Sequence, residues 1–344
     1  MPGPSMLCRD RFFAAKAALL YLLILIGGLL AFRVGRFAIS VETLAKIVLS
    51  RFGMAAPAWD PTLETVVLNV RLPRILLAIL TGGALSAAGA SYQTLFKNPM
   101  VSPDLLGVSA GAGFGAALAM LNDLAWWQVQ ASAFAFGTLA VLLASVIGYV
   151  FARQEITVMV LGGIVVSSLF QALLSILKTM ADTDNVLPSI TFWLMGSLGR
   201  GSNRDVLILL PFLAVSLGLL FLFRFSINAL AAGNEEAAAL GVNVGLVKAV
   251  VVLASTLMTV VSVSICGIIG WIGMVVPHIA RLLVGADYSR LLTASFGIGA
   301  LFLLGMDTIV RGVPGVELPL GVLTALVGTP IFVALLSRVR KGWL

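Results

Sequence analysis

Long apolar segments recur along the whole chain, separated by short stretches that carry charges, glycines or prolines. An α-helix needs about 20 predominantly apolar residues to cross a bilayer. The 35 glycines and 13 prolines indicate closely packed helices with breaks rather than a barrel of alternating strands. The pattern therefore predicts an all-α polytopic membrane protein with about ten transmembrane helices. The ten segments are 12–32, 72–95, 105–121, 125–151, 156–177, 205–223, 245–265, 267–284, 291–310 and 319–337.

Two connections between these segments are long. Residues 33–71 include a patch from Ser40 to Phe52 whose apolar residues share one face, which predicts a short amphipathic helix. Residues 178–204 are expected to form a loop that ends in a partly apolar stretch. The chain has no linker and no low-complexity segment, so the sequence predicts a single transmembrane domain over residues 1–344.

The composition supports this interpretation. Hydrophobic residues make up 60% of the chain and charged residues only 11%, against roughly 25% charged residues in soluble domains. This scarcity of charge excludes a soluble enzyme. The net charge of +7 comes from basic residues scattered between apolar segments, which indicates lipid headgroups and topology rather than nucleic acid. Two cysteines and one histidine cannot build a disulfide framework or a Cys/His metal cluster, and no cofactor is expected.

Basic residues near both ends predict that both termini lie in the cytoplasm. Arg9, Arg11 and Lys16 precede the apolar stretch from Ala17 to Phe32, which no small-residue cleavage site follows and which is interpreted as a retained span. The lysines and arginines otherwise divide almost evenly between the two sides. Either the orientation is inverted, or some outer arginines are kept there for another reason. The arginines on the outer side are chiefly Arg71, Arg74, Arg200, Arg204 and Arg311.

The chain offers no source of energy of its own. It lacks the glycine-rich phosphate-binding loop of an ATPase. An ion-coupled carrier, the rival interpretation, needs ionisable groups inside its spans, but the ten segments are almost free of carboxylates. Asp307 lies at a segment end four residues before Arg311, which favours a local helical pair. A membrane enzyme is a weaker option, because no nucleophile and base come together. Energy for uphill transport is expected to come from another subunit.

Several long motifs follow one another from about residue 35 to the end of the chain. They are RLPR at 71–74, GALSAAGASYQTLFKNPMVSPDLLGVSAGAGFGA at 83–116, WLMGSL at 193–198, LAAGNEEAAALGV at 230–242, GIIGWIGMVVPHIARLLVGADYSRLL at 267–292 and DTIVRGVPGVELPLGVLTALVGTPIFVALL at 307–336. With these motifs the chain resembles the permease subunit of ABC importers for ferric siderophores, cobalamin and haem, the type II ABC importers.

The resemblance implies a non-catalytic transport subunit with ten helices in the bacterial inner membrane. Such a subunit pairs with a second permease, either a copy of itself or a close paralogue. Two cytoplasmic ATPase subunits drive it, and a periplasmic binding protein delivers the substrate. A ferric siderophore is the first choice of substrate, while cobalamin, haem and molybdate remain open.

The segment around 228–244 predicts a short helix with its own end signals. Asn234 is expected to cap its start, Glu235 and Glu236 lie in the first turn, and Gly241 is expected to end it. The resemblance implies that this is the cytoplasmic coupling helix that contacts the ATPase; a solvated surface loop is the alternative. The residues assigned to coupling are Asn234, Glu235, Glu236, Ala238, Leu240 and Gly241.

Three of the outer arginines have a role implied by the resemblance. It places Arg71, Arg74 and Arg311 on the periplasmic face, where acidic residues of the binding protein dock. An arginine side chain suits this role because its planar group pairs with carboxylates through two hydrogen bonds. Taken singly, each arginine is more often a headgroup anchor.

The resemblance also suggests a gate at the loop 97–104, where it places Asn98 and Met100 near the cytoplasmic gate. A rigid turn set by the two prolines of this loop is the alternative. Further along, Pro277 is expected to break the eighth segment and free backbone carbonyls. His278 or a neighbouring residue is expected to satisfy one of them, and a structural role is favoured for His278.

Gly107, Gly111 and Gly115 recur every four residues in the third segment. Small residues at this spacing let two helix backbones approach closely. Packing alone is the favoured explanation, and lining a translocation pathway at a dimer interface is the other.

Overall fold

The computed structural model describes residues 4–35, 39–51, 59–152, 156–313 and 318–339. The regular structure in these ranges is helical. The helices are α1 (Pro4–Ala31), α2 (Val41–Ser50), α3 (Pro61–Thr65), α4 (Leu72–Leu95), α5 (Val108–Leu121), α6 (Trp126–Ala152), α7 (Ile156–Met180), α8 (Val186–Leu194), α9 (Asn203–Leu222), α10 (Arg224–Ala232), α11 (Asn234–Ala239), α12 (Val244–Cys266), α13 (Ile272–Val284), α14 (Tyr288–Gly312) and α15 (Leu320–Val339).

The ten predicted membrane segments are all helices. Among the described residues, seven helical segments are long and apolar enough to cross a membrane, and α5, α13 and the start of α15 are shorter apolar helices. The predicted amphipathic helix is α2, which the Ser40 hydroxyl caps by accepting a hydrogen bond from the Thr43 backbone N–H at 3.0 Å. The long connection at 178–204 contains one element that the sequence did not predict, the short helix α8.

The helices form one bundle with two ends. The arginine face contains the end of α1, helices α2 and α3, the start of α4 and the end of α14. Here the Asn203 side chain at the start of α9 donates to the Leu68 carbonyl oxygen at 3.1 Å. The α11 face contains the loop 96–107, helices α10 and α11, and the start of α14. Here the Asn228 amide nitrogen donates to Asp287 Oδ2 at 3.0 Å.

Helix α4 lies at the centre of the bundle. Of the most apolar window in the span that contains it, 83% is buried, compared with 11% for α1. Helices α12, α13 and α14 pack directly on α4. Glycines make this possible, because a Cβ at Gly82 would collide with the carbonyl of Gly299 on α14. Close backbone contact between small residues is the usual basis of helix packing in membranes.

A π-helical turn, Val66–Arg71, joins α3 to α4 without a break. It places Arg71 at its last position and Arg74 in the first turn of α4. Both arginines therefore lie at the arginine face, Arg71 just before the start of the central helix and Arg74 just after it.

The break expected at Pro277 lies elsewhere, so that prediction was wrong. Helix α13 continues through Pro277, and the interruption is the segment between Cys266 and Ile272. Proline lacks an N–H, which leaves the Gly273 carbonyl without its helical partner. That carbonyl oxygen points at Gly89 on α4, where only a glycine leaves room for it.

The non-helical segment after α12 lies against two other helix ends, the end of α8 and the start of α15. The Ser197 N–H, just after α8, donates to the Cys266 carbonyl at 2.8 Å, and the Leu320 N–H at the start of α15 donates to the Gly196 carbonyl at 2.9 Å. Backbone groups freed at helix ends are thus satisfied by one another. Irregular backbone is tolerated at membrane depth only where it is buried in protein in this way.

Candidate functional site

One buried carboxylate binds two arginines at the arginine face. The Asp307 side chain, near the end of α14, has no exposed surface. Its Oδ1 accepts a hydrogen bond from Arg74 Nε at 2.7 Å, and its Oδ2 accepts one from Arg311 Nε at 2.8 Å. A buried charge is very unfavourable unless it is paired and hydrogen-bonded, so the three groups stabilise one another. The interaction ties α4 to α14.

The same arginines bind the end of α1. Arg311 Nη1 donates to the carbonyl oxygens of Ala31 at 2.9 Å and Val34 at 3.2 Å, and Arg71 Nη1 donates to the Phe32 carbonyl oxygen. The last carbonyls of a helix have no partner within it and carry partial negative charge. The arginines supply both the missing donors and the opposite charge. Together, Arg71, Arg74, Asp307 and Arg311 are called the Asp307 cluster below.

The position of these arginines bears on their predicted docking role. The side chain of Arg74 is 15% exposed and that of Arg311 is 8% exposed. Their Nε atoms are bound to Asp307, so a carboxylate of another protein would have to reach the remaining N–H groups of largely buried side chains. Docking through these residues stays a prediction. The local pair of Asp307 with Arg311 is confirmed, whereas the bond to Arg74 was not predicted.

Other arginines at this face are more accessible. Arg33 and Arg204 are exposed and form no ion pair in the part of the chain that the structure describes. The guanidinium of Arg200 lies 4.5 Å from the ring centroid of Trp126, as expected for a cation–π contact. These three side chains present positive charge at the arginine face. By contrast, exposed Glu42 on α2 is paired with Lys46, whose hydrogen bond and charge lower the pKa of that carboxyl.

A second buried carboxylate, Asp205, is the third residue of α9 and completes the capping box that Ser202 begins. It accepts hydrogen bonds from the backbone N–H and hydroxyl of Ser202, and its Oδ1 accepts one from Gln130 Nε2 at 2.9 Å. The buried carboxylates Asp205 and Asp307 are therefore both engaged by donors of this chain. Within the described ranges, no three His, Cys, Asp or Glu side chains converge as metal ligands would.

The predicted coupling region is a pair of short helices at the α11 face. Helix α10 ends at Ala232, Gly233 separates the two helices, and α11 follows from Asn234 to Ala239. Asn234 is the first residue of α11 and makes no side-chain capping bond, so its predicted role as the cap was wrong. Gly233 occupies the cap position with an extended backbone. Glu235 and Glu236 lie in the first turn, as predicted, and Gly241 follows the helix with a φ of +78°.

This pair of helices has an inner and an outer side. Ile227 and Leu230 on α10, and Ala237 on α11, are buried in the main hydrophobic core. Asn234, Glu235, Glu236 and Ala238 are exposed, and so is Leu240, which is 74% exposed. The apolar anchors fix the position of α11, while its outer side carries negative charge and one large apolar side chain.

The coupling region is also bonded to the start of α14. The Tyr288 backbone N–H donates to Asn228 Oδ1 at 2.7 Å, and the Asn228 amide donates to Asp287 at 3.0 Å. The Tyr288 hydroxyl is 2.7 Å from the Ser91 hydroxyl on α4. Helix α10 is thus linked to the two helices that meet again in the Asp307 cluster at the opposite face.

The predicted gate residues lie at the α11 face in the loop after α4. The Asn98 side chain accepts a hydrogen bond from the Met100 backbone N–H at 2.9 Å, and Met100 is exposed. His278 Nε2 lies 2.9 Å from the Pro99 carbonyl oxygen, which ties the loop to α13. The contact supports a structural role for His278, but the expected partner was wrong, because the carbonyl that Pro277 leaves unpaired is that of Gly273, not that of Pro99. Gating by Asn98 and Met100 stays a prediction.

The three glycines of the third segment do not share one helix face. Gly107 precedes α5 with a φ of +85°, after a 3-10 turn at Pro103–Leu106, so its predicted place on the helix was wrong. Gly111 and Gly115 lie on α5, where a Cβ would collide with the Phe136 and Ser132 carbonyls of α6. The side of α5 that carries these two glycines is covered by α6 of the same chain, which supports packing as their function.

Comparison with known proteins gives a consistent result. The sequence model of the FecCD transport family matches residues 22–338. The molybdate import system permease protein of Haemophilus influenzae is 36% identical over 326 residues, covering 94% of this chain and 95% of that protein. A probable iron chelatin transport system permease protein of Helicobacter pylori is 37% identical over 281 residues, covering 81% and 84%. One solved structure, "An inward-facing conformation of a putative metal-chelate type ABC transporter", matches with a TM-score of 0.84 and 33% identity, covering 94% of this chain and 99% of that one.

We expect the substitution Asp307→Asn to destabilise the protein strongly. It leaves Arg74 and Arg311 without a carboxylate, and breaking a buried ion pair by removing one partner costs about 3–5 kcal/mol. Thermal unfolding of the purified protein in detergent measures the effect. Glu42→Gln, which removes an exposed carboxylate of α2, is the control and should leave the unfolding midpoint unchanged. Equal midpoints for both variants would contradict the role given to the Asp307 cluster.

Proposed function

Because the chain belongs to the FecCD transport family and is a permease subunit of an ABC importer, we propose that it carries a ferric siderophore from the periplasm to the cytoplasm across the bacterial inner membrane. The single observation that carries the proposal is the family match, which extends over nearly the whole chain. The chain itself performs no covalent chemistry. It supplies the membrane path, and its partners supply energy and affinity.

The proposed substrate is an iron chelate. Similarity to an iron chelatin permease and to a metal-chelate type transporter supports this choice. Similarity to a molybdate permease supports molybdate as an alternative cargo, and cobalamin and haem are the other members of the set. For any of these cargoes, the proposed binding protein provides the affinity.

A carrier driven by an ion gradient is the candidate from another class. It needs a carboxylate that takes up and releases the coupling ion during transport. Asp307 is buried, but Arg74 and Arg311 occupy both of its oxygens. Asp205 is bound by Ser202 and Gln130. Neither carboxylate is placed to exchange an ion, which favours energy from ATP hydrolysis in a partner subunit.

The proposed assembly contains two permease subunits, either identical or paralogous, and two ATPase subunits. In this arrangement both termini and the α11 face lie in the cytoplasm, and the arginine face lies in the periplasm. The exposed side of α11 then meets the ATPase, and the arginine face meets the binding protein. This orientation accounts for the even count of basic residues, because Arg71, Arg74 and Arg311 are kept on the outer side by bonds within the chain.

The contacts of α10 suggest how movement of the ATPase reaches the rest of the chain. A push on α11 acts on α10, since both helices are anchored in the same core. From Asn228 it passes to Asp287 and Tyr288 at the start of α14. Helix α14 contacts α4 closely at Gly299 and is bonded to it again through Asp307. The proposed result is that α14 and α4 move as one unit.

We expect ATP-dependent uptake of a labelled ferric siderophore by vesicles that contain this chain with its ATPase and binding protein. Vesicles without the ATPase should show none, and neither should complete vesicles given a proton gradient in place of ATP. Uptake on the gradient alone would overturn the importer proposal. Uptake of only molybdate, cobalamin or haem would keep the permease function and replace the siderophore.

We expect Leu240→Ala to weaken ATPase binding at least tenfold. Burial of a leucine side chain at an interface contributes about 1.5–3 kcal/mol. Affinity is measured by titrating the purified ATPase onto the permease. Leu222→Ala is the matched control, because Leu222 is 71% exposed at the end of α9 and belongs to a membrane span. Equal affinities for the two variants would exclude Leu240 from the contact.

We expect Arg204→Glu to weaken docking of the binding protein about fivefold at low ionic strength, since an exposed ion pair contributes up to about 1 kcal/mol. Increasing salt should reduce the difference from the wild type. Arg311→Glu should instead lower the yield of folded protein, because it places two carboxylates side by side. Unchanged affinity with Arg204→Glu, or a well-folded Arg311→Glu that fails to dock, would favour docking through the Asp307 cluster.

A further inference from the structure

A groove opens on the outside of the bundle between the second half of α6 and the first half of α12. It lies in the half of the molecule next to the α11 face and has a volume of about 440 Å³. Its floor is formed by buried residues of three helices, including Leu95, Val141 and Thr256, and its rims by exposed apolar side chains such as Leu142 and Leu253. It is called the α6–α12 groove below.

The length of the groove matches one leaflet of a bilayer. Its lining residues on α6 run from Thr138 to Tyr149, which at about 1.5 Å per residue is about 16 Å. The hydrocarbon core of a bilayer is about 30 Å thick, so one leaflet contributes about 15 Å. The rims belong to the outer surface of the membrane-spanning helices α6 and α12, which faces lipid. Because of this position and this length, an acyl chain fits along the groove.

One end of the groove is basic. Lys248 lines it from the second turn of α12, and Lys97 comes two residues after Leu95, the groove-lining residue at the end of α4. Within the described ranges neither lysine pairs with a carboxylate. Tyr149, near the end of α6, borders the same end. Lysine and tyrosine at this level of a span are typical of contact with lipid headgroups.

We propose that the α6–α12 groove binds an anionic phospholipid from the leaflet at the α11 face. One acyl chain lies along the groove, and the phosphate lies against Lys97 and Lys248. Two neighbouring cations without a carboxylate select a lipid of net negative charge over a zwitterionic one. The identification of this leaflet as the cytoplasmic one rests on the proposed function, and so does the second permease subunit as the alternative occupant.

A second copy of the chain is a poorer occupant. A twofold contact places the same patch of both subunits face to face. Both subunits span the membrane in the same direction, so Lys97 and Lys248 of the two copies would lie at the same level and, with the groove at the axis, close together. Like charges placed opposite each other oppose such a contact, whereas a phosphate neutralises them.

The test is native mass spectrometry of the purified full-length permease with added lipid. Wild-type protein should retain palmitoyl-oleoyl phosphatidylglycerol more strongly than the phosphatidylcholine with the same acyl chains. The double substitution Lys97→Gln with Lys248→Gln should lower retention of phosphatidylglycerol about thirtyfold, since each basic residue contributes about 1 kcal/mol to anionic lipid binding. Retention of phosphatidylcholine should not change.

Three further variants make the result specific. Lys97→Arg with Lys248→Arg keeps both charges and should retain phosphatidylglycerol. Lys46→Gln with Lys178→Gln removes two charges away from the groove and should behave as the wild type. Val146→Trp fills the groove from its exposed rim and should reduce retention of both lipids.

Some outcomes would overturn the proposal. One is equal retention of the two lipids by the wild type, and another is undiminished phosphatidylglycerol in the Lys97→Gln, Lys248→Gln protein. A third is a Val146→Trp protein that keeps its lipid but separates from the second permease subunit, which would assign the groove to subunit contact. None of these readings depends on transport, so a failure here leaves the importer proposal intact.

Discussion

The fold depends on a carboxylate that has no access to water. Helices in a bilayer gain little from the hydrophobic effect when they associate, because lipid is as apolar as their side chains. Directional polar bonds therefore have unusual influence over which helix ends meet. Asp307 brings the start of α4 to the end of α14, and Arg311 and Arg71 bring the end of α1 to both. Helices α4 and α14 are thus bonded at one end of the bundle, and glycines allow their backbones to contact each other further along.

The helices could be predicted from the sequence because the signal for each one is local. Apolar length identified the ten membrane segments, and the spacing of apolar residues identified α2. The Asp307 cluster could be predicted only in part. The bond between Asp307 and Arg311 follows from a separation of four residues on one helix, but Arg74 lies 233 residues away and nothing near it in the sequence indicates its partner. The useful signal was the surplus of arginines on the outer side, which indicated that some of them are held there by bonds within the protein.

The errors at the α11 face and near α13 have a common cause. Asn234 is a good capping residue, but the buried Ala237 sets where α11 lies, and Gly233 then falls at the cap position. Pro277 is a helix breaker in water, but the carbonyl that it leaves unpaired, that of Gly273, faces Gly89 of another helix. In both places tertiary packing overrides a local preference. The sequence around each residue does not contain the neighbour that decides the outcome.

The distance along the chain between Arg74 and Asp307 has a consequence for synthesis. Ribosomes add about 5–20 residues per second, so the 233 residues between them take roughly 12–47 s to make. During that time α4 is already synthesised while its counter-charge does not yet exist. An unpaired arginine is costly within hydrocarbon. Arg74, in the first turn of α4, therefore has to stay at the membrane surface until α14 is inserted. The central helix reaches its final depth only after that step.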